Sequence, residues 1–304
     1  MAKRIEKHSA TSGNRSGGLI MLVVIVLLVA AVVLACRFNG QQPKQDTAGD
    51  IARGTPASVP AEIVSDDRIL FGGAPIARRP DITFTTLKNS AYIVGYSETR
   101  RDPLWSAYRV IHKDHPFVLE RPKGEFLTDD RTEARVTHHD FTGSGFDRGH
   151  MTPNSAIARC YGEEAQKETF LLSNICPQAP ALNQKVWEKL EMHEITYADE
   201  YDEVWVVDGP VFADLNGGVT RTLRSGIAVP AAFYKILLED HAGAAGGRPR
   251  VFSVIMPQMV RGTEHPEQYV TSVAEIESET GLEFFPKLDA GTREELKSRV
   301  WPMW

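Results

Sequence analysis

This chain of 304 residues lacks the charge balance of a protein that coats polyanions: 34 Lys and Arg face 40 Asp and Glu, a net charge of −6. Tight wrapping of nucleic acid by bulk electrostatics is therefore excluded, and any contact with a polyanion has to come from a local basic cleft. Cysteine is scarce too. Of the three, Cys36 falls in an apolar segment, and Cys160 and Cys176 are spaced for neither a CxxC redox pair nor a zinc site. A disulfide between these two and a pair of buried free thiols are both open. There is no HxxxH zinc pair and no GxxxxGK phosphate loop, and Gly143-Ser144-Gly145 is not a nucleophile elbow. Those absences remove the zincins, the P-loop enzymes and the serine hydrolases. No segment repeats.

Long apolar runs are missing as well, with one exception. From Ser16 to Cys36 there is no charge, a stretch that fits the ~20 residues needed to cross a bilayer as a helix. Lys3, Arg4, Lys7 and Arg15 precede it, against Arg37 and Lys44 after it, so the positive-inside bias places the N-terminus in the cytoplasm and the bulk of the chain on the extracytoplasmic side. Lipid attachment at Cys36, after Leu34-Ala35, ranks second, and secretion after signal cleavage third. Residues 39–60 have hardly any large apolar side chain and read as a flexible tether. The expected organisation is thus a basic tail 1–15, an anchor 16–36, a linker 37–60 and one globular domain 61–304. That domain has about 240 residues, ordinary for a single mixed fold.

Within the domain, Tyr92–Tyr96 and Trp105–Ile111 are rich in aromatic and β-branched residues and flank a polar stretch, the pattern of a hairpin. Asp202–Gly209, Ala231–Leu238 and Val251–Met256 read as further strands. Helical periodicity marks Gly162–Leu171, Leu182–Tyr197 and Val273–Thr280, the last stopped by Gly281. Strands and helices do not alternate regularly, so the class is α+β rather than a doubly wound sheet.

The run Asp147-Arg148-Gly149-His150-Met151 carries the strongest chemical signal. An imidazole takes a proton from water near neutral pH, and a guanidinium grips a phosphate in a fork of donors. Phosphodiester hydrolysis demands both, with a proton or a metal for the leaving oxygen. Most histidines in a globular domain carry no such duty. His150 is set apart by Gly149, which permits close backbone approach, and by Arg148, a cation ill-suited to a core; the ordinary alternative for Arg148 is a surface salt bridge. Asp147 reads as a residue that holds the loop. Because a protonated imidazole cannot act as base, and neighbouring cations depress its pKa, activity resting on His150 is expected to fall below about pH 6.

A second constellation is Asn183 and Glu191 in LNQKVWEKLE, eight residues apart. On an α-helix that is ~80° of rotation and about 12 Å of rise, too far to grip one ion directly. A magnesium ion that keeps most of its waters, with Asn183 as amide ligand and Glu191 reaching a bound water, fits this spacing. So does a helix cap at Asn183 with a solvated Glu191. Asn174, which ends the apolar run of LLSNICPQ, is either aimed into a cleft or part of a turn. Of Arg121, Lys123, Arg131 and Arg135, beside His138 and His139, one or two are expected to line a phosphate path.

Taken in order, DRGHM, LLSNICPQ and LNQKVWEKLE resemble the DNA/RNA non-specific endonuclease family. The resemblance extends to YIVGYSETRRDPLWSAYRV, DGPVF, IAVPAAFYKILL and IESETGLEFFP, covering Ile69 to Leu288. It implies a ββα-metal, or His-Me finger, fold with a central mostly antiparallel sheet flanked by helices, the base on a β-hairpin and the metal ligand on the helix that follows. It further implies His150 as general base, Asn183 as the one direct ligand of Mg2+ (or of Mn2+ or another divalent cation), and Glu191 as the residue orienting metal-bound water. Arg148 stabilises charge near the scissile phosphate, Asn174 is a supporting active-site amide, and Arg121 is the upstream arginine that neutralises the transition state, with Arg131 competing. The implied reaction is magnesium-dependent hydrolysis of DNA and RNA to 5′-phosphate products, with recognition through the backbone. A catalytically inactive nucleic-acid-binding module and a small-molecule phosphodiesterase are the alternatives. The expected partners are DNA and RNA, a membrane through residues 16–36, and a second copy in a homodimer.

Overall fold

The computed structural model describes residues 64–124, 126–240 and 248–304, all within the unit Ser58–Trp304. The anchor 16–36, Cys36 and the tether 37–60 lie outside the described residues. No helix among the described residues is long and apolar enough to cross a membrane.

Along the chain, a short helix (Asp66–Ile69) and a two-residue strand (Ile76–Ala77) paired with Leu282–Glu283 precede strands β1 (Thr85–Lys88), β2 (Tyr92–Ser97) and β3 (Asp102–Ile111). The short strand β4 (Asp147–His150), helices α1 (Asn154–Tyr161) and α2 (Glu163–Glu168) and strand β5 (Ile175–Gln178) follow. A wide π-helical turn over Leu182–Trp187 runs into helix α3 (Glu188–Tyr201). Then come β6 (Glu203–Val211), the two-residue strands β7 (Arg221–Thr222) and β8 (Ala228–Val229), β9 (Ala232–Glu239) and β10 (Arg250–Pro257). The chain closes with β11 (Val270–Thr271) and helices α4 (Val273–Thr280) and α5 (Ala290–Ser298).

Seven strands form one antiparallel sheet in the order β11-β10-β9-β6-β3-β2-β1. Both faces are covered, and the alternation along one strand shows how. Phe233 and Leu237 of β9 pack with Trp187 and Leu190 of the α3 layer, whereas Tyr234, Ile236 and Leu238 pack with Val273, Ile276 and Leu296 of the α4–α5 layer. A sheet buried twice needs apolar residues at successive positions, so its strands read as near-continuous runs. Lys235 shares the Phe233 side of that strand by periodicity and is fully buried.

The expected strands and the hairpin are present, as is the α4 stop: Ser272 caps its start through Glu275 N, and Gly281 ends it at φ 67°. The expected helix over Gly162–Leu171 is shorter: α2 starts after Gly162 and ends at Glu168, where Thr169, Phe170 and Leu171 bond three residues back and tighten the chain into a turn. The expected helix from Leu182 extends to Tyr201 and begins in the wide turn, which shapes the site.

Candidate active site

β4 and β5 pair antiparallel, with Asp147 opposite Gln178, Gly149 opposite Cys176 and His150 opposite Ile175. The chain then leaves Gln178 directly for the wide turn and α3, so the ribbon and its helix form a strand–strand–helix unit. Gly149 is required by close approach: a Cβ there would lie 2.3 Å from Gln178 Oε1 and 2.6 Å from Gln178 Cβ. Gly149→Ala is expected to cost about 1–3 kcal/mol by overpacking, read as a lower urea midpoint; a midpoint equal to the parent's would refute the tight fit.

His150 and Arg148, two residues apart on a strand, share one face of the ribbon. The imidazole is 8% exposed, with its ring centroid 5.3 Å from Phe126 and 5.2 Å from Phe170. Its Nε2 makes no hydrogen bond among the described residues. The Arg121 guanidinium lies 5.3 Å above the Phe170 ring. Burial first, and then the charge of Arg121, push the imidazole down to a pKa of about 3. The ring is thus held neutral, the form a base needs. Arg148 Nη2 donates to His138 O at 2.7 Å, and its guanidinium lies 5.6 Å from the Phe141 ring. Arg131, the competitor of Arg121, is tied down instead: it binds both oxygens of Asp129 (2.8 and 2.6 Å), Lys88 O at 2.7 Å and Asn89 Oδ1 at 2.9 Å.

Asp147, on the opposite face, accepts from Asn183 Nδ2 at 2.9 Å and from Gln184 Nε2 at 2.7 Å. An ionised carboxylate only accepts, so it fixes which end of the Asn183 amide it meets. Asn183 Oδ1 is left with no hydrogen bond among the described residues and stands available to a cation. Asn183 is not a helix cap, since the wide turn already surrounds it. That turn carries one extra residue, so Asn183 and Glu191 relate as positions seven apart would on an α-helix, about 20° from alignment rather than ~80°. Wide turns of this kind concentrate at functional sites.

The half-buried Glu191 carboxylate accepts no hydrogen bond among the described residues. Burial raises it to about 8, with Lys235 pulling down and Glu194, Asp208 and Glu188 pushing up. Beneath it lies a fully buried network. Lys235 Nζ meets Asp208 Oδ2 at 2.9 Å, Glu194 Oε1 and the Tyr108 hydroxyl at 2.8 Å, Tyr108 donates to Glu194 Oε2 at 3.0 Å, and the Trp187 ring centroid is 4.7 Å from the ammonium. Burial holds Asp208 up at about 7. Raised this far, Glu191 keeps its proton near neutral pH, and a divalent cation beside it would favour the ionised form that accepts from metal-bound water. Among the described residues no group of three His, Cys, Asp or Glu is placed to hold a metal. The donor set, one amide oxygen and one carboxylate, suits a magnesium ion that keeps its waters.

Asn174 is not aimed into a cleft. It is fully buried, its Oδ1 accepts from Thr152 N at 2.9 Å, and its Nδ2 donates to Thr152 O and Thr169 O at 3.0 Å each. It clamps the chain just past His150 and is a positioning residue. Gln178 escaped the sequence reading. Fully buried against Gly149, it has neither amide atom hydrogen-bonded among the described residues, an arrangement that costs about 1–3 kcal/mol unless a ligand satisfies it. Cys160 and Cys176 are free, buried thiols.

The ribbon and the wide turn thus present a neutral imidazole walled by aromatic rings, with Arg148 and Arg121 on its side, and on the other face an amide oxygen that Asp147 leaves open. Comparison with known proteins gives the family. The family model of the DNA/RNA non-specific endonucleases matches residues 80–291. The chain is 32% identical over 212 residues to human mitochondrial endonuclease G, covering 65% of this chain and 68% of that protein. It is 30% identical over 228 residues to nuclease C1 of Cunninghamella echinulata var. echinulata, covering 68% and 84%. In fold it is similar to a crystal structure of the EndoG/EndoGI complex, with a TM-score of 0.61, 24% identity, and coverage of 73% of this chain and 92% of that one. On its residues, its ribbon-and-helix unit and these matches, the chain belongs to the DNA/RNA non-specific endonuclease family, hydrolases acting on nucleic acids.

Proposed function

We propose that this endonuclease hydrolyses DNA and RNA in a magnesium-dependent reaction with His150 as general base, releasing 5′-phosphate products. The observation that carries the reading is the neutral imidazole of His150 on one side of the ribbon, opposite an Asn183 oxygen that Asp147 holds open. A ring nitrogen of His150 accepts the proton of the attacking water. Arg148 and Arg121 offset charge growing on the nonbridging oxygens. Asn183 would hold the divalent cation and Glu191 would orient its waters. When bound, the cation supplies positive charge to the phosphate and to the departing oxygen. Asn174 and Asp147 act through others, keeping His150 and Asn183 in place.

The purified protein is expected to nick supercoiled plasmid and digest RNA with magnesium, to stop on addition of chelator, and to resume when magnesium is restored. Cutting that persists in excess chelator would refute the metal requirement. Retention of nucleic acid without cutting would favour a binding module, and turnover of bis(p-nitrophenyl) phosphate alone a small-molecule phosphodiesterase. For location, we keep an anchor at residues 16–36 with the domain on the extracytoplasmic side, and for assembly a homodimer. The solved EndoG/EndoGI complex motivates a search for a protein inhibitor as well.

A further inference from the structure

The β7–β8 hairpin has no part in the chemistry above, yet it is fixed against the site. Leu223 N donates to Ile227 O at 2.8 Å, and Gly226 N to Leu223 O at 2.9 Å, closing a tight tip. Ile227 is fully buried with Phe141, Leu172 and Ile175. Ala228 N donates to Arg100 O at 3.0 Å. The tip itself is pinned twice: Ser225 Oγ donates to Asp140 O at 3.1 Å, and Arg101 Nη1 donates to Ser225 O at 2.6 Å. Asp140 lies two residues beyond His138, whose carbonyl holds Arg148. The tip is therefore fixed to the same short helical turn, His138–Phe141, whose carbonyl holds Arg148.

Among the exposed arginines of the described residues, Arg78, Arg79, Arg135, Arg248 and Arg299 each carry a carboxylate partner, whereas Arg68, Arg101, Arg121 and Arg261 carry none. Arg221 and Arg224 are exposed and carry none among the described residues. The backbone that carries these two guanidinium groups is pinned and no counter-charge meets them among the described residues, so an anion that binds here has only two side chains to order.

We infer that the β7–β8 hairpin is a second grip on the polynucleotide, with Arg221 and Arg224 contacting backbone phosphates next to the one cut. This rests on the nuclease reading and deepens it: the substrate is a polymer several nucleotides long, held at two points, and the hairpin acts on binding rather than on chemistry.

The test uses the full chain carrying Arg221→Ala and Arg224→Ala together. KM for a short DNA duplex is expected to rise about tenfold, roughly 1.4 kcal/mol, with kcat within about twofold of the parent's. The slope of log(kcat/KM) against log salt is expected to become shallower by about one to two, the loss of one or two phosphate contacts. Lysine at both positions should recover most of the affinity. Lys287→Ala, an exposed cation remote in sequence from the ribbon, is the charge control. Unchanged KM and salt slope in the double variant, or an equal shift in the Lys287 variant, would overturn the inference. If the parent protein cuts nothing, the nuclease reading fails by itself, and fluorescence anisotropy of a labelled duplex with chelator present then decides the grip: weaker binding by the double variant sustains it, equal binding or none by the parent ends it.

Discussion

His150→Ala is expected to lower kcat on plasmid DNA by about 10²–10⁴-fold, the range a positioned general base contributes, while the protein still folds. The pH dependence makes the test sharper. The active form of the ring is neutral, and burial with the charge of Arg121 brings its pKa to about 3. The sequence alone suggested a fall in activity below about pH 6, from an ordinary imidazole with cations nearby. With the ring walled by Phe126 and Phe170, the share of the acid limb that belongs to His150 moves below pH 5, as read from kcat/KM, which reports the free enzyme. Stability runs the same way. The unfolded chain takes up this proton near pH 6.5 and the folded one only near 3, so between those values the unfolded state binds more protons and acid destabilises the fold. The alanine variant should therefore lose less stability than the parent between pH 6 and pH 4. A variant that cuts at the parental rate, or a parent with a His150-dependent limb at pH 6, would reject the base as assigned.

How much of this was legible beforehand differs from residue to residue. The strands of the central sheet were readable because burial on both faces leaves long apolar runs, and Gly281 announced the end of α4. The ribbon strand Asp147–His150 was visible as chemistry but not as a strand: four residues with an aspartate, an arginine and a glycine carry no alternation to detect. The wide turn over Leu182–Trp187 was beyond reach, since no propensity in LNQKVW marks an extra residue per turn, yet it is what aligns Asn183 with Glu191. Arg121 could not be separated from Arg131 on sequence because both sit in one polar stretch; the fold ties Arg131 to Asp129 and rests Arg121 on Phe170, which supports Arg121 in the proposed role. Gln178 and Lys235 were missed for a shared reason. Each sits in a strand among apolar residues, and its burial is set by elements distant in sequence: the Gly149 backbone for Gln178, the carboxylates of Glu194 and Asp208 for Lys235.

Lys235 carries the second large prediction. It is the one cation in the buried network beneath α3, between Asp208, Glu194 and the Tyr108 hydroxyl. Replacing it with methionine keeps most of the volume and strands two carboxylates in a dry interior, for which the expected loss is about 3–5 kcal/mol, a drop in Tm of roughly 10 °C for a domain of this size. The sign with pH follows from the carboxylates. Burial already holds Asp208 up at about 7 and raises Glu194, and removing the lysine pushes both further. The folded variant then binds more protons than the unfolded chain above pH 4, so its stability falls as pH rises and the deficit against the parent is larger at pH 8 than at pH 5. Adding Glu194→Gln and Asp208→Asn to the methionine variant removes the stranded charges and should return most of the lost stability, which plain loss of packing around residue 235 would not allow. Because Glu194 stands on the same helix as Glu191, and Trp187 of the wide turn rests on the ammonium, the single variant should also lose nuclease activity at temperatures well below its melt. A Lys235→Met protein that melts with the parent at pH 8 would show that the network neither holds α3 to the sheet nor supports the residues it presents to the cleft.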